Sequence, residues 1–346
     1  MQDTVIQDCL TSIRRYIEDN CTIEELSKKL SNYGVCCPSF LKSLLDSKQY
    51  FLNLYKTKKR IDALLPVLLE FDFNYAIVKG PVLSLAAYGN PYVRVSNDLD
   101  VLISHENLER AQTLLYNRGF VQAKVKGGKI IQFSRKEKIY YNMLTHQTPP
   151  FIKKIDSVSC PLVCVDVNTK FMFSEAINQP NVDFILEHVE YCDLGGFKVK
   201  KLICELDFIF TCLHHYKDAH SIYLLSKGSL RLDLFFDIYF YLTKQDINFD
   251  KLAKLCKELN VGKYIYVMIY YTNKIFNDNQ TKLLLTLLQD QRDDLILNTY
   301  GLSTTELKTW DIDFFERLFH QNLPTHFLNS LTEQERQKIK INEFYM

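Results

Sequence analysis

Residues 77–103 read IVKGPVLSLAAYGNPYVRVSNDLDVLI, and this stretch decides the fold. An apolar strand over 75–78 ends at Lys79-Gly80. Residues 81–88 follow as a short helix with proline at its first position, where a missing backbone N–H costs nothing. Residues 99–103 form a second strand, whose apolar run indicates that it is central and buried. The stretch therefore predicts a strand–turn–helix–strand unit.

Polar side chains occupy every second position on the way into that second strand. They are Arg94, Ser96, Asp98 and Asp100. Because strand side chains alternate between faces, we expect these four on one face. Two carboxylates that share a face repel each other, so keeping both ionised usually requires a cation between them. We favour a metal site over the alternative of an acidic strand facing solvent.

A third carboxylate, Asp166, stands inside the apolar run 162–167. An isolated buried carboxylate is costly, so Asp166 needs either the metal or a basic partner, and we favour the metal. A third acid would complete a two-metal site. Lys79-Gly80 opens the short helix, where backbone N–H groups and partial positive charge suit a phosphate, although Pro81 removes one donor.

The 346 residues divide into three predicted parts. Residues 1–70 form an N-terminal helical segment, 71–201 a mixed core, and 202–346 a C-terminal all-helical domain. The fold class is α+β, with a small mixed β-sheet and helices packed on it. Further strands are expected near 120–125, 129–134, 138–143, 163–168 and 197–199, with a hairpin turn at Gly127-Gly128. Helices are expected at 204–219, 229–243, 249–258, 262–276, 279–289 and 303–319.

Composition narrows the class of protein. The net charge of +1 gives no strong overall field toward nucleic acid. The N-terminus does not resemble a secretory signal, and no apolar run approaches a membrane span. The ten cysteines are irregularly spaced and do not form a zinc pattern, so we interpret them as packed thiols. We expect a soluble, cytoplasmic protein without membrane contact.

The motifs together resemble the nucleotidyltransferase superfamily first seen in polymerase beta, over roughly residues 50–245. The run Lys-Gly-x-x-Leu, Tyr-Gly-x-Pro and Arg-x-x-x-Asp-Leu-Asp is most similar to the uncharacterised nucleotidyltransferase family found beside biosynthetic gene clusters. In that family the third acid follows a His-containing stretch, here His146 before the strand of Asp166. Abortive-infection toxin nucleotidyltransferases share the Arg-x-Ser-x-Asp-x-Asp segment. His214, Lys217, Arg231 and Asp237 resemble residues of the family's helical domain, although its usual tryptophan is missing near Arg231.

The resemblance implies that Asp98, Asp100 and Asp166 hold two Mg²⁺ ions and that an NTP, such as ATP, is the co-substrate. One metal would hold the β- and γ-phosphates, and Asp166 would hold the other and accept the proton of the attacking hydroxyl. The implied NTP-binding residues are Lys79, Gly80, Arg94, Ser96, Lys217 and Arg231. Each of three residues also has an ordinary structural interpretation. Lys79 could be a solvated lysine at a strand end, and Arg94 could form an ion pair with an acid in the sheet. Ser96 could simply cap a turn. For His214 we favour packing in a helix, and Asp237 we interpret as structural.

Three functions remain open at this stage. The first is an enzyme that moves a nucleoside monophosphate from an NTP to a small-molecule or peptide acceptor. The second is a toxin-like enzyme acting on tRNA, which would favour a long basic surface, whereas the basic clusters near 56–60, 124–138 and 198–201 are short. The third is a non-catalytic nucleotide-binding module. Retention of all three acids argues against the third.

Overall fold

A computed structural model describes residues 3–18, 22–32, 47–145, 147–228, 230–319 and 323–345. The chain forms two compact units. The sheet unit is built on Leu52–Thr211, with Asn342–Met346, and the helical unit on Met1–Phe51 and Cys212–Ile341. The three-part division made from the sequence stays a prediction.

The strands are β1 Tyr75–Val78, β2 Leu99–Ile103, β3 Val121–Lys126, β4 Lys129–Gln132, β5 Phe151–Lys154, β6 Leu162–Asn168, β7 Val189–Leu194, β8 Phe197–Leu202, β9 Thr299–Tyr300 and β10 Lys308–Thr309. The α-helices span Asp3–Ile17, Ile23–Asn32, Ser47–Leu68, Gly80–Tyr88, Leu108–Asn117, Arg135–Leu144, Val182–Leu186, Cys204–His220, Ile222–Leu225, Asp233–Lys244, Phe249–Glu258, Gly262–Phe276, Asn279–Leu287, Asp294–Leu297, Phe314–Phe319, Leu323–Asn329 and Glu333–Tyr345. Single 3-10 turns cover His105–Asn107 and Gln289–Gln291.

One mixed sheet of eight strands organises the sheet unit, in the order β4-β3-β5-β6-β2-β1-β8-β7. β2 lies between β1, its antiparallel neighbour, and β6, its parallel neighbour. β1 and β2 are buried at every position, as strands covered on both faces require. The predicted α+β class with a mixed sheet and flanking helices is confirmed.

The core of the sheet unit lies between the long helix Ser47–Leu68 and the central strands. Ile61, Leu64, Leu65 and Leu68 of this helix are almost fully buried in one cluster with side chains of β1, β2 and β6. Burying each such side chain contributes about 1.5–3 kcal/mol. The helix thus anchors the strands that carry the acidic residues.

The turn predicted at Gly127-Gly128 is confirmed, and two helix ends also follow from local residue types. Gly127 and Gly128 take φ angles of 57° and 74° in the turn between β3 and β4. The helix 80–88 ends at Gly89 (φ 71°), whose N–H donates to the Leu85 carbonyl at 2.9 Å. Thr22 and Glu25 form the reciprocal hydrogen bonds of a capping box.

Two predicted elements are wrong. Residues 138–143 belong to a helix, because Ser134 caps its first turn and Glu137 returns the hydrogen bond. The helix expected over 303–319 begins only at Phe314, and Lys308–Thr309 pairs as β10 with β9. β5 and β7, which the sequence analysis did not predict, enlarge the sheet. Residues 33–46 of the predicted N-terminal helical segment lie outside the described residues.

The helical unit packs its N-terminal helix on its C-terminal ones. The guanidinium of Arg14 donates to the carbonyls of Lys274 and Ile275 at 3.1 and 2.9 Å, in the last turn of helix 262–276. These carbonyls lack partners within their own helix, so the arginine satisfies them.

Throughout the described residues, helices fall short of the length and apolar character needed to cross a lipid bilayer. Seven cysteines of the described part of the chain are free thiols.

Candidate functional site

Two of the three predicted acids face each other across neighbouring strands. In the parallel pair of β2 and β6, Asp100 is the register partner of Asp166. Adjacent strands lie about 4.8 Å apart, so the two carboxylates belong to one small region. Asp100 is 6% and Asp166 is 8% exposed, unusually buried for acids. The structure therefore brings together residues 66 positions apart in sequence.

Asp98 reaches the same region from a turn, not from a strand. β2 starts at Leu99, and the alternation predicted upstream does not hold, since Val95 is 39% exposed. Ser96 Oγ donates to the Asp98 carbonyl at 2.7 Å and lies 3.3 Å from Asp98 Oδ1. The guanidinium of Arg60 donates to the Ser96 carbonyl at 2.7 Å. Ser96 thus acts here as a turn-forming residue that positions Asp98.

Gly80 permits this turn to approach the start of helix 80–88. Its φ is +40°, and a Cβ there would lie 3.3 Å from Ser96 Oγ and 3.8 Å from the Asp98 carbonyl oxygen. A larger residue would therefore press on the loop that holds Asp98, in a conformation that L-residues avoid. The glycine is required by this close approach as well as by the turn itself.

Lys79 is a buried ion-pair partner rather than the solvated lysine weighed from the sequence. Its Nζ donates to Asp100 Oδ1 at 2.7 Å, and the whole residue is 6% exposed. Burial alone would lower the pKa of Lys79, but the negative charge of Asp100 and its hydrogen bond raise that pKa above the usual value. The backbone takes φ 56° and ψ −148°, nearly reserved for glycine and costing on the order of 1–3 kcal/mol.

Three polar residues that the sequence analysis missed hold the acids in place. Asn168 Nδ2 donates to Asp100 Oδ1 at 3.2 Å, and Gln147 Nε2 donates to Asp166 Oδ2 at 2.8 Å. Cys164 Sγ lies 3.5 Å from Asp166 Oδ1. Cys164 and Asn168 flank Asp166 at a period of two, a signal that would have found both. Gln147 lies on a loop, where no periodicity could reveal it.

Crowded negative charge dominates the electrostatics of the site. Burial, followed by repulsion from Asp100 and Asp98, raises the pKa of Asp166 to about 7. Burial and Asp100 likewise raise the pKa of Asp98. Burial and Asp166 raise the pKa of the Tyr141 hydroxyl and of the Cys164 thiol. Such mutual repulsion favours an added cation.

The three acids suit Mg²⁺ in donor type, since carboxylate oxygens are its preferred protein ligands. Among the described residues, however, no three His, Cys, Asp or Glu side chains stand in a ready-made metal cluster. Asp100 Oδ1 is bonded to Lys79 and Asn168, and Asp166 Oδ2 to Gln147. The acids therefore fit Mg²⁺ in donor chemistry, but they are not yet arranged as a metal-binding group, and their present hydrogen bonds must change to bind it.

The start of helix 80–88 offers few free amides for a phosphate. Pro81 supplies no N–H, and the N–H groups of Val82 and Leu83 both donate to the Lys79 carbonyl, at 3.0 and 3.1 Å. The backbone N–H of Arg94 donates to the Ser84 hydroxyl at 3.0 Å, which fixes the loop after this helix. Phosphate binding by Gly80 and Arg94 stays a prediction.

The remaining predicted residues lie in the helical unit. Asp218 is shared by Arg231 at 3.4 Å, Lys217 at 3.9 Å and His214 at 3.7 Å. Arg231 also lines a cavity of about 210 Å³. The part of Lys217 and Arg231 in NTP binding stays a prediction.

Asp237 has a structural partner within the helical unit. His215 Nε2 lies 3.1 Å from Asp237 Oδ2, with both side chains at most 1% exposed. A pair shut off from solvent in this way suits the structural interpretation of Asp237. His146 lies outside the described residues.

Comparison with known proteins adds to this geometry. The family described as uncharacterised nucleotidyltransferase matches residues 39–277. An antigenic nucleotidyltransferase-like protein from Paracoccidioides brasiliensis is similar in structure, with 16% identity and a TM-score of 0.34, over 61% of this chain and 92% of that one. So distant a likeness carries no argument about function. No curated protein matches the chain.

Proposed function

The chain belongs to the uncharacterised nucleotidyltransferase family, as its Lys-Gly and Asp-Leu-Asp motifs predicted, and from this premise we propose a specific reaction. The protein transfers a nucleoside monophosphate from an NTP to a small-molecule or peptide acceptor and releases pyrophosphate, with Mg²⁺ as cofactor. The bond between the α- and β-phosphates breaks, and a bond from the acceptor oxygen to the α-phosphorus forms. The acceptor hydroxyl loses its proton in the same reaction.

One observation carries the proposal, namely the pairing of Asp100 with Asp166 across β2 and β6, with Asp98 just ahead of β2. Buried acids are costly unless they are paired or bind a metal. Here three carboxylates surround a single bonded lysine, which leaves a surplus of negative charge. A purely structural cluster would have no reason to keep that surplus.

In this proposal Asp98, Asp100 and Asp166 hold two Mg²⁺ ions, which supply charge neutralisation for the triphosphate and lower the pKa of the acceptor hydroxyl. Asp166 takes the proton of that hydroxyl. Asp166 lies in β6 opposite Asp100 of β2, and Gln147 and Cys164 contact the two oxygens of its carboxylate.

Cationic side chains stabilise the charge that develops on the transferred phosphoryl group and on pyrophosphate. We assign this role to Lys79 and Arg94 of the sheet unit. Gly80 and Ser96 keep the turn of Asp98 close to the start of helix 80–88. Their contribution is therefore to position an acid that binds metal.

The test is a transfer assay with each of the four NTPs labelled at the α-phosphate, with Mg²⁺, and with a small-molecule extract, a peptide fraction or bulk tRNA as acceptor. We expect label in a small-molecule or peptide fraction together with released pyrophosphate. Asp98→Asn and Asp100→Asn should abolish both signals. Label found in tRNA alone would favour the toxin-like function.

The matched control is Asp193→Asn, which removes a carboxylate from β7 of the same sheet, at a position that binds the Gly196 N–H in a turn. This variant should keep full activity. Absence of pyrophosphate with every NTP and acceptor fraction, in a protein whose circular dichroism is native, would contradict the proposed reaction.

A further inference from the structure

Lys79 is bonded to one of the two carboxylate oxygens through which Asp100 could bind a metal ion. Its Nζ and the Nδ2 of Asn168 donate to the same oxygen, Asp100 Oδ1, at 2.7 and 3.2 Å. A carboxylate oxygen has two lone pairs, and these two donors use both. A cation can therefore bind that oxygen only if one of the donors leaves.

Of the two donors, Lys79 is the one that can move away from Asp100 more easily. Asn168 is fully buried in β6, and its Nδ2 also contacts the Asp166 carbonyl at 3.3 Å, so the strand fixes it. Lys79 stands instead at the junction between β1 and helix 80–88, on a long side chain with four rotatable bonds. Rotation about those bonds moves its ammonium group without disturbing a strand.

The backbone of Lys79 points to the same role. A lysine with φ 56° and ψ −148° is strained, and such strain persists only where surrounding contacts impose it. Here the buried ion pair with Asp100 provides one such contact. The chain thus retains a strained lysine at a position where glycine would cost less.

We propose that Lys79 is a resident counter-cation, which neutralises Asp100 in the metal-free protein and competes with the divalent metal for it. Metal binding releases Lys79 from Asp100, and its ammonium group then becomes free to bind the phosphates of the NTP. This inference rests on the proposed function and adds to it a specific exchange of partners. It also explains why the three acids are not preassembled as a metal cluster among the described residues.

The exchange predicts how metal affinity responds to substitution. We would titrate Mg²⁺ alone into the full-length chain by calorimetry, for wild type and for Lys79→Met, which keeps length but not charge. Without its competitor, the site should bind Mg²⁺ at least about tenfold more tightly. Lys79→Arg keeps the charge and should stay within about threefold of wild type.

The matched control is Lys201→Met, since Lys201 in β8 of the same sheet pairs with Glu190 in β7 and is mostly buried. It loses the same charge but not a bond to the acidic cluster, so its Mg²⁺ affinity should stay within about threefold of wild type. A gain as large as that of Lys79→Met would reveal a general charge effect and overturn the competition.

A second readout follows Lys79 itself. In protein labelled at the lysine ε-carbon, the NMR signal missing from Lys79→Arg identifies Lys79. The chemical shift of that signal should change during the Mg²⁺ titration of wild type. The midpoint of this change should equal the midpoint of Mg²⁺ binding measured by calorimetry. A signal that stays still while Mg²⁺ binds would overturn the inference and leave the metal site standing. If neither wild type nor Lys79→Met binds Mg²⁺, the proposed metal site itself is wrong, and the inference with it.

Discussion

Replacing Lys79 by methionine would remove the ammonium group bonded to Asp100 and leave a buried carboxylate facing two other acids. Breaking a buried pair from one side costs about 3–5 kcal/mol. The hydrogen bond from Asn168 remains and offsets about 1 kcal/mol. The expected loss in unfolding free energy is therefore about 3 kcal/mol.

The dependence on pH distinguishes this electrostatic cost from lost packing. The cost in the variant is that of a carboxylate buried without its counter-charge. It is present at neutral pH, where carboxylates are ionised, and disappears below about pH 4, where carboxylates are protonated in the folded and the unfolded chain alike. Urea unfolding of wild type and variant at pH 7 and pH 4, followed by circular dichroism, measures the difference directly.

A double-mutant cycle completes the test. Asp100→Asn combined with Lys79→Met removes both charges, so the double variant should be more stable than Lys79→Met alone, with a coupling of about 2–3 kcal/mol. Lys201→Met, whose partner Glu190 is half exposed, should lose no more than about 1 kcal/mol. A loss for Lys79→Met below about 1 kcal/mol, equal at both pH values, would refute the reasoning.

Three further outcomes are expected. Asp166→Asn should reduce nucleotide transfer by about 10²–10⁴-fold. The unfolding free energy at pH 7 should stay unchanged or rise, because one of three crowded charges is gone. A fall in unfolding free energy above about 2 kcal/mol would contradict this. Asp237→Ala should lower the unfolding free energy measured in urea by about 3–5 kcal/mol. Asp237→Asn should lower it by only about 1–2 kcal/mol, because its amide oxygen still accepts a hydrogen bond from His215. Equal losses in the two variants would be inconsistent with the buried pair. Burial lowers the pKa of His220 to about 3. Between about pH 3 and 6.5 the unfolded chain therefore binds more protons than the folded protein. This residue should lower the unfolding free energy by about 2 kcal/mol at pH 5. His220→Gln should flatten the melting temperature between pH 7 and 5, and an unchanged slope would count against the burial argument.

The fold was most predictable where local patterns and burial agree. The apolar runs of β1 and β2 and the glycines at 80, 89 and 127–128 mark element ends through backbone requirements that neighbours cannot change. The strand predicted over 138–143 was wrong, because Ser134 and Glu137 form a capping box that starts a helix ahead of these residues. β5 and β7 were missed because short, half-exposed strands owe their existence to pairing partners distant in sequence.

The sequence by itself determined the family and the chemical character of the site. The sequence points to three acids, Asp98, Asp100 and Asp166. They lie beside or within apolar runs, where burying a carboxylate is costly unless it is paired or binds a metal. Tertiary structure alone decided their arrangement, since the register between β2 and β6 sets Asp100 against Asp166. It also decided that Lys79 is buried on Asp100, because a side chain's partner across a sheet depends on strand order, which no local pattern encodes.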